Sequence, residues 1–372
     1  MIYRVELRDR DDEFVGILDG RIGAINWGFS PVGGCAEFSF RALSKYCNEL
    51  QFGANFNVRI LKRSDATKLY SIVYQGRIEN TSPNLDPDKE TIDVSGFGYQ
   101  SALKDIIIES ETYTSTEISV IIKDLLDTYI VPNTDVSYDL ADIESTGFTP
   151  TTIRFSYVTV QDAIKKLADI AGAVDYGVDA NKKFYFLQNS ENIGERFIVG
   201  KEISNLKITS SSREIGNRII VLGADISGSK FVYTKDYAKS QAKYGRRDVL
   251  IQNSAVKTND AAEALADARY EEIKGAVDRG SFDLNKEIIL EENLPLGLID
   301  IITREVTWDE KEWDTFLWAG YGPFRVRKIN YRIIDEDSRL KSSVEFGEPY
   351  PDIVENINQL KYSLDNVIQS EG

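Results

Sequence analysis

The chain has 372 residues, 42% of them hydrophobic and 28% charged, a composition that supports packed cores in about two to four domains. Its 44 Lys and Arg stand against 60 Asp and Glu, for a net charge of −16. Tight or stable binding of nucleic acid is therefore not expected, because such binding needs a basic face for the phosphates. The acidity also fits plain solubility. Histidine is absent, which excludes Ser-His-Asp and Cys-His catalysis and His-ligated zinc.

Cofactors, metals and membranes are not predicted from this sequence. The two cysteines, Cys35 and Cys47, cannot complete a four-thiolate metal site alone, and we expect both to be reduced thiols. Residues 1–6 carry no basic region that leads into an apolar run, so a secretory signal is not expected. The chain also contains no apolar stretch of membrane-spanning length, and membrane binding is not expected.

Residues 1–110 are predicted to form an antiparallel β domain, curled into a barrel or a sandwich. Short runs rich in β-branched and aromatic residues alternate with turns rich in Asp, Gly and Pro. A helix is predicted over about Gln100–Ile107. The predicted strands are Tyr3–Leu7, Phe14–Leu18, Ile22–Trp27, Ala36–Phe40, Asn57–Lys62, Leu69–Glu79 and Glu90–Ser95.

Residues 111–200 are predicted to form a compact α+β insert. Ile118–Tyr129 places its apolar residues at helical spacing. A second helix is predicted to begin after Thr159 as the N-cap, with Asp162 in its first turn, and to end at Gly172. A β-hairpin follows, with strands over 173–178 and 183–187.

Residues 201–350 return to the strand-rich pattern and are predicted to form a second β domain. An Ala-rich helix is predicted over Asp260–Lys274. The predicted strands are Ile203–Thr209, Asn217–Leu222, Lys230–Thr234, Val249–Gln252, Val277–Asp283, Ile299–Val306, Phe324–Asn330 and Lys341–Phe346. The fold class is therefore α+β, mostly β, with two antiparallel β-barrels around the insert, and the two β units suggest a duplicated ancestral domain.

Residues 351–372 are predicted to form a C-terminal helix. Apolar residues recur at spacings of 4, 3, 4 and 3, the a/d rhythm of a coiled coil, at positions Ile353, Ile357, Leu360, Leu364 and Val367. The run is shorter than the three to four heptads that identify a coiled coil. Two interpretations stay open, a single helix docked on its own subunit and self-association of the tails as a trimeric coiled coil.

Three of the four tryptophans lie within residues 308–318, at Trp308, Trp313 and Trp318. Cross-strand packing in a hairpin, or a docking surface for a partner, is the favoured interpretation. The alternative is a sugar platform with an acid pair of a cell-wall glycosidase, drawn from Asp309, Glu310, Glu312 and Asp314.

Two other motifs are interpreted as structural. Gly96-Phe-Gly98 lacks the third glycine of a dinucleotide-binding turn, and its neighbouring strands are predicted to be antiparallel. The alternating acids of 84–90 lack the glycine and the final glutamate that a calcium loop needs, so a hairpin tip is expected there. We therefore predict no catalytic, metal or cofactor residues and no enzymatic activity.

Several stretches, in order, resemble the phage tail-hub family, which includes baseplate hub proteins and the N-terminal part of tail-associated proteins. The resemblance covers most of residues 1–350 as short motifs. The matching stretches are Leu7-Arg-Asp-Arg10, Ile22–Trp27, Pro31-Val-Gly-Gly34, Ala36–Phe40, Val94–Tyr99, Asn217–Gly223, Ser240, Tyr244-Gly-Arg-Arg247 and Ala261–Arg269. Leu294–Asp300 is only a loose version of the family's late Pro-Gly-Asp turn.

The resemblance implies a structural virion protein at the tip of a bacteriophage tail. Its two β units would be barrels like that of the tail tube, so a homotrimer would form a pseudo-sixfold ring. One side would meet the tail tube or a distal tail protein, and the other a tail fibre, a spike or a tape-measure protein. DNA would only pass through, along an expected acidic channel, since three chains carry 3 × 16 = 48 net negative charges. The alternative function is a cell-wall glycosidase or a carbohydrate- or receptor-binding tail module.

Overall fold

The computed structural model describes a mostly β, α+β protein, which confirms the predicted fold class. The described residues are 3–18, 22–43, 56–63, 67, 69–86, 89–150, 152–172, 174–211, 215–226, 229–252, 256, 258–274, 277–285, 290, 296–302, 320–333 and 340–347. The helices are a 3₁₀ helix (Tyr99–Lys104), α1 (Ile118–Leu125), which a π-helical turn continues (Leu126–Ile130), α2 (Val160–Ala171), α3 (Ala238–Tyr244) and α4 (Asn259–Ile273).

The strands follow most of the predicted pattern. They are β1 (Tyr3–Arg8), β2 (Phe14–Ile17), β3 (Ile22–Ser30), β4 (Gly33–Leu43), β5 (Asn57–Arg63), β6 (Tyr70–Asp86), β7 (Lys89–Gly98), β8 (Ile107–Thr114), β9 (Ser137–Ile143), β10 (Thr152–Thr159), β11 (Val174–Val178), β12 (Lys183–Gln188), β13 (Ile193–Ile198), β14 (Ile203–Ser211), β15 (Arg218–Ile226), β16 (Ser229–Asp236), β17 (Asp248–Gln252), β18 (Val277–Leu284), β19 (Leu298–Ile302), β20 (Gly320–Ile333) and β21 (Lys341–Gly347).

One large sheet connects the two ends of the chain. Its strands lie in the order β14-β18-β21-β20-β3-β4-β7-β6-β5-β1-β2. The neighbouring pairs along this order are antiparallel. One face of the sheet carries alternating apolar residues such as Trp27, Phe38 and Phe282, which belong to a single buried cluster drawn from both halves. The two β units therefore share one hydrophobic core.

Five strands of the first half recur in the second half, in the same chain order and at the same places in the sheet. We call β3–β7 the first repeat and the set β14, β18, β19, β20 and β21 the second repeat. Neighbours in the first are β3-β4-β7-β6, and in the second β14-β18-β21-β20. The fourth strand of each repeat carries a bulge at the corresponding place. In β6 it lies between Ile78 and Asn80, and in β20 between Val326 and Lys328. The chain thus contains a tandem repeat, as the sequence suggests.

The α+β insert has its own core, drawn from Tyr99 to Phe186. α2 begins as predicted, because the Thr159 hydroxyl accepts a hydrogen bond from the Asp162 amide at 3.1 Å, and it ends at Gly172 with a φ of 91°. The predicted helix over 100–107 is wrong in length. It is a short 3₁₀ turn, and the β-branched run that follows enters β8 instead.

A third unit separates β14 from β18. Strands β15, β16 and β17 form a sheet of their own, and α4 covers one face of it through a small core that includes Ile219, Val221 and Ala266. The expectation that all strands after residue 201 form one β unit is therefore wrong. The cause is local, since β15 pairs with its own hairpin partner β16 and with β17.

The insert is fixed to the large sheet by close backbone contact. Gly33 and Gly34 of β4 pair with Gly177 and Val178 of β11. Gly34 has a φ of +73°, and a Cβ atom there would overlap the Val178 backbone. The Tyr185 hydroxyl donates a hydrogen bond to the Pro31 carbonyl at 2.9 Å. Glycine is required at position 34 both for its backbone conformation and for this approach.

We expect Gly34→Ala to lower the free energy of unfolding by more than about 1 kcal/mol, since it combines left-handed strain with a backbone clash. Thermal unfolding and limited proteolysis around residues 99–192 measure the loss. Gly23→Ala is the matched control, because a Cβ atom there comes no closer than 3.7 Å to the nearest atom, the Arg41 carbonyl oxygen. Equal effects of the two substitutions would contradict this account of the docking.

Candidate assembly surfaces

The residues that the sequence singles out for assembly lie outside the described residues. These are the heptad positions Ile353, Ile357, Leu360, Leu364 and Val367 and the tryptophans Trp308, Trp313 and Trp318. Their roles stay predictions. The described residues offer other assembly features, which are the junction of the two repeats, two unpaired strand edges and one polar face.

The two repeats meet edge to edge through β3 and β20. These strands pair antiparallel, with Trp27 opposite Tyr331. The two rings stack with centroids 5.3 Å apart and an interplanar angle of 23°, and both side chains are at least 98% buried. Buried aromatic pairs of this kind contribute about 0.5–1.5 kcal/mol beyond their burial. The junction is therefore a built interface with an aromatic centre.

An ion pair crosses the same junction on the polar face. Lys328 Nζ of β20 lies 2.6 Å from Glu37 Oε1 of β4. The hydrogen bond from Lys328, helped by its charge, lowers the pKa of Glu37 despite partial burial. Because the pair is open to solvent, its contribution is small beside that of the aromatic stack.

The two repeats together supply a run of eight neighbouring strands, from β14 to β6. Each end of this run has an edge without a partner in the described part of the chain. At one end, β14 pairs only with β18 among the described strands, apart from an isolated bridge between Ile203 and Val199. At the other end, β6 pairs with β5 only up to Arg77. From Asn80 onward it pairs with β7 alone, and 80–84 are exposed. Open edges of this kind are sites where another strand can add.

The polar face of the large sheet is concave. A cavity of about 560 Å³ lies on it, and residues from five adjacent strands line the cavity, from Asp283 of β18 through Lys341, Arg332 and Asn26 to Glu37 of β4. A cavity shared by strands this far apart indicates that the sheet curves towards it. If the sheet continued into a ring, this face would therefore lie inside.

The concave face is not acidic. By register, the basic residues on this face of the described strands include Arg41, Arg77, Lys207, Arg279, Arg325, Lys328, Arg332 and Lys341, and the acidic ones include Glu37, Asp93, Asp283 and Glu345. Asn, Ser and Thr fill most of the remaining positions. The expected acidic channel finds no support on this face, because the net charge is unevenly distributed. Residues 99–192 alone carry 15 acidic and 7 basic residues, or 15 − 7 = 8 net negative charges.

One acidic side chain is buried where the insert meets the second repeat. Asp175 of β11 is 2% exposed and interacts with Arg325 and Arg327 of β20. Burial raises its pKa to about 6, and the attraction of the two arginines offsets this only in part. The free-energy cost of desolvating the carboxylate is therefore larger than the stabilisation from Arg325 and Arg327.

The described part of the chain contains neither a candidate metal site nor a membrane-spanning helix. No group of three or more acidic or cysteine side chains within it is placed to hold a metal ion. None of the described helices is long and apolar enough to cross a membrane.

Solved structures of tail proteins share the fold of this chain. The 43 kDa tail protein of prophage MuSo2 from Shewanella oneidensis matches with a TM-score of 0.63 at 15% identity, over 95% of this chain and 98% of that one. The tail protein of Neisseria meningitidis MC58 matches at 0.60 and 11% identity, over 96% and 99%. A chain of the Francisella PdpA-VgrG complex in its lidded form matches at 0.55 and 10% identity, over 94% of this chain and 53% of that one.

These likenesses establish the class of fold, that of phage tail proteins. The resemblance to the phage tail-hub family is therefore confirmed at the level of the fold. No protein-family model matches the sequence, and no curated protein matches it either.

We expect Asp175→Asn to stabilise the protein at pH 8 and not at pH 4. The folded-state pKa of about 6 lies above the ordinary value of 3.8, so the folded protein binds the proton more tightly. Stability from this group is then present at low pH and is lost as the pH rises through 6, by up to about 3 kcal/mol. The variant removes this loss.

Chemical denaturation at pH 4, 6 and 8 measures the effect, with Asp11→Asn on an exposed turn as the matched control. A destabilised Asp175→Asn protein at pH 8 would mean that the attraction of Arg325 and Arg327 outweighs the desolvation.

Proposed function

We propose that this chain is a structural bacteriophage tail protein, a hub that forms a homotrimeric, pseudo-sixfold ring at the distal end of the tail tube. The observation that carries the proposal is the tandem repeat in one continuous sheet, joined edge to edge through β3 and β20. The fold shared with solved tail proteins supports it. A ring of six repeats would match a hexameric tube. Because each chain carries two repeats, three chains supply all six.

The strand count supports three copies. Each chain contributes eight strands to the run from β14 to β6, so three chains give 3 × 8 = 24. At about 4.8 Å per strand, a closed sheet of 24 strands has a circumference of about 115 Å and a backbone diameter of about 37 Å. Such a ring keeps an open channel after its side chains are added. DNA would pass through it without a stable contact.

The two ends of the proposed ring differ. The insert follows β7 at its C-terminal end, and the third unit sits between the end of β14 and the start of β18. Register places these points, and the C-terminal end of β21, at the same end of the strands. At the opposite end β7 follows β6 after two residues. We assign this less elaborated end to the tail tube or a distal tail protein.

The other end then faces the distal partner, a tail fibre, a spike or a tape-measure protein. Residues 348–372 leave β21 at that end, so the predicted heptads would bring a threefold coiled coil there. Trp308, Trp313 and Trp318 are proposed as docking residues for a partner. The matched chain from the Francisella PdpA-VgrG complex supports a role in multiprotein assemblies. No catalytic step is assigned to the protein, which would reside in the virion at the tail tip.

Light scattering on the purified chain tests the ring. We expect a mass three times that of the 41.9 kDa chain, and a higher dissociation constant when residues 351–372 are removed. Ile357→Asp with Leu360→Asp in the full chain should weaken the trimer in the same way, because charges at a and d positions oppose helix association. Asn358→Asp, between these positions, is the control. A monomer at every concentration would contradict the trimer.

A further inference from the structure

We infer that the ring closes by strand pairing between copies, with residues 81–85 of β6 in one copy against residues 206–210 of β14 in the next. This inference rests on the proposed ring and names the surface that builds it. The partner is a second copy of this chain. Its register follows from the junction that the chain already contains.

Strand β6 is equivalent to β20 in the two repeats. Each strand has a bulge at the same place. In β6 the bulge follows Ile78, which lies opposite Gly96 of β7, and in β20 it follows Val326, which lies opposite Phe346 of β21. Ile78 of β6 therefore corresponds to Val326 of β20. Counting three residues onward along each strand, Thr81 corresponds to Ile329. Thr81 lies opposite Val94 of β7, and Ile329 lies opposite Val344 of β21. These two valines are themselves equivalent positions, which supports the alignment.

Strand β14 is equivalent to β3 in the two repeats. Phe38 of β4 faces Gly96, and Gly280 of β18 faces Phe346, so Phe38 and Gly280 are equivalent. Opposite them lie Trp27 of β3 and Ile208 of β14. Trp27 and Ile208 are therefore equivalent positions, and the remaining residues follow by counting.

The junction inside the chain can now be transferred to the two open edges. Within the chain, Ile329 to Ile333 of β20 lie opposite Phe29 to Ile25 of β3. The equivalent pairs between copies are Thr81 with Ser210, Ser82 with Thr209, Pro83 with Ile208, Asn84 with Lys207, and Leu85 with Leu206. Both edges are open in the described part of a single copy, as pairing between copies requires.

The chemistry of these pairs matches the two faces of the sheet. Leu206 and Ile208 are half-buried and pack against the large core, and their partners Leu85 and Pro83 are apolar, whereas the end pair of this face, Thr81 with Ser210, is polar. Pro83 has no amide hydrogen and therefore donates no backbone hydrogen bond to β14, so this seam has one donor fewer than the junction of β20 with β3. Ser82 with Thr209 and Asn84 with Lys207 would continue the polar concave face. A one-residue slip in either direction would place apolar residues opposite polar ones in three of the four remaining pairs. The register is therefore specified by the side chains as well as by the template.

Cysteine cross-linking tests the register in the full chain, with Cys47→Ser, so that buried Cys35 is the native thiol that remains. Ser82→Cys with Thr209→Cys places two cysteines directly opposite each other, at a Cα separation of about 4.5–5.5 Å that a disulfide accepts. Mild oxidation should link copies into covalent trimers. The control is Ser82→Cys with Lys207→Cys, offset by two residues, which should link at least about tenfold more slowly.

The outcomes separate the two proposals. A trimeric mass without the Ser82–Thr209 link, or with faster linking of the offset pair, overturns the register and leaves the ring standing. A monomeric mass at every concentration, with no link, overturns the ring. A charge test adds a second readout. Ser82→Lys with Thr209→Lys should raise the dissociation constant at least about tenfold, and Ser82→Glu with Thr209→Lys should restore it, because like charges directly opposite repel.

Discussion

Backbone pairing between β3 and β20 is the contact on which the rest of the structure depends. Each of these strands would otherwise be the edge of a smaller sheet, with a row of unpaired amide and carbonyl groups. Their pairing joins the strands of the two repeats into one sheet and lets apolar residues from both repeats share a single core. It also places Arg325 and Arg327 beside the insert, where they meet Asp175. One strand contact thus sets the arrangement of both repeats and the insert.

One buried cross-strand pair combines a phenylalanine and a glycine in both repeats, but the two residues stand on opposite strands in the second repeat. In the first, Phe38 covers Gly96, and a Cβ atom on that glycine would lie 2.7 Å from the ring. In the second, Phe346 covers Gly280, with the corresponding distance at 2.5 Å. A large side chain requires its neighbour to be small in a close-packed interior. The exchange shows that the packing constraint is kept although the residues differ, which explains why residue identity hides the duplication.

Sequence periodicity predicted local structure well and long-range structure poorly. The alternation in 57–62 and the cap at Thr159 depend on near neighbours, and the structure confirms both. The separate sheet of β15–β17 and the pairing of β3 with β20 depend on contacts that no local pattern records. The concave face was misjudged for a similar reason, because net charge does not say where charges lie. The predicted assembly residues near the C-terminus, such as Leu360, stay predictions.

The aromatic stack of Trp27 on Tyr331 has a mechanical consequence for the proposed ring. The equivalent seam between copies would place Ile208 against Pro83, with less surface to bury and no stacked rings. Six seams would then alternate between strong and weak. Under an outward force the ring would part at three places, and each chain would swing as a stiff pair of repeats. The widest opening would have threefold symmetry, although the closed ring approximates sixfold.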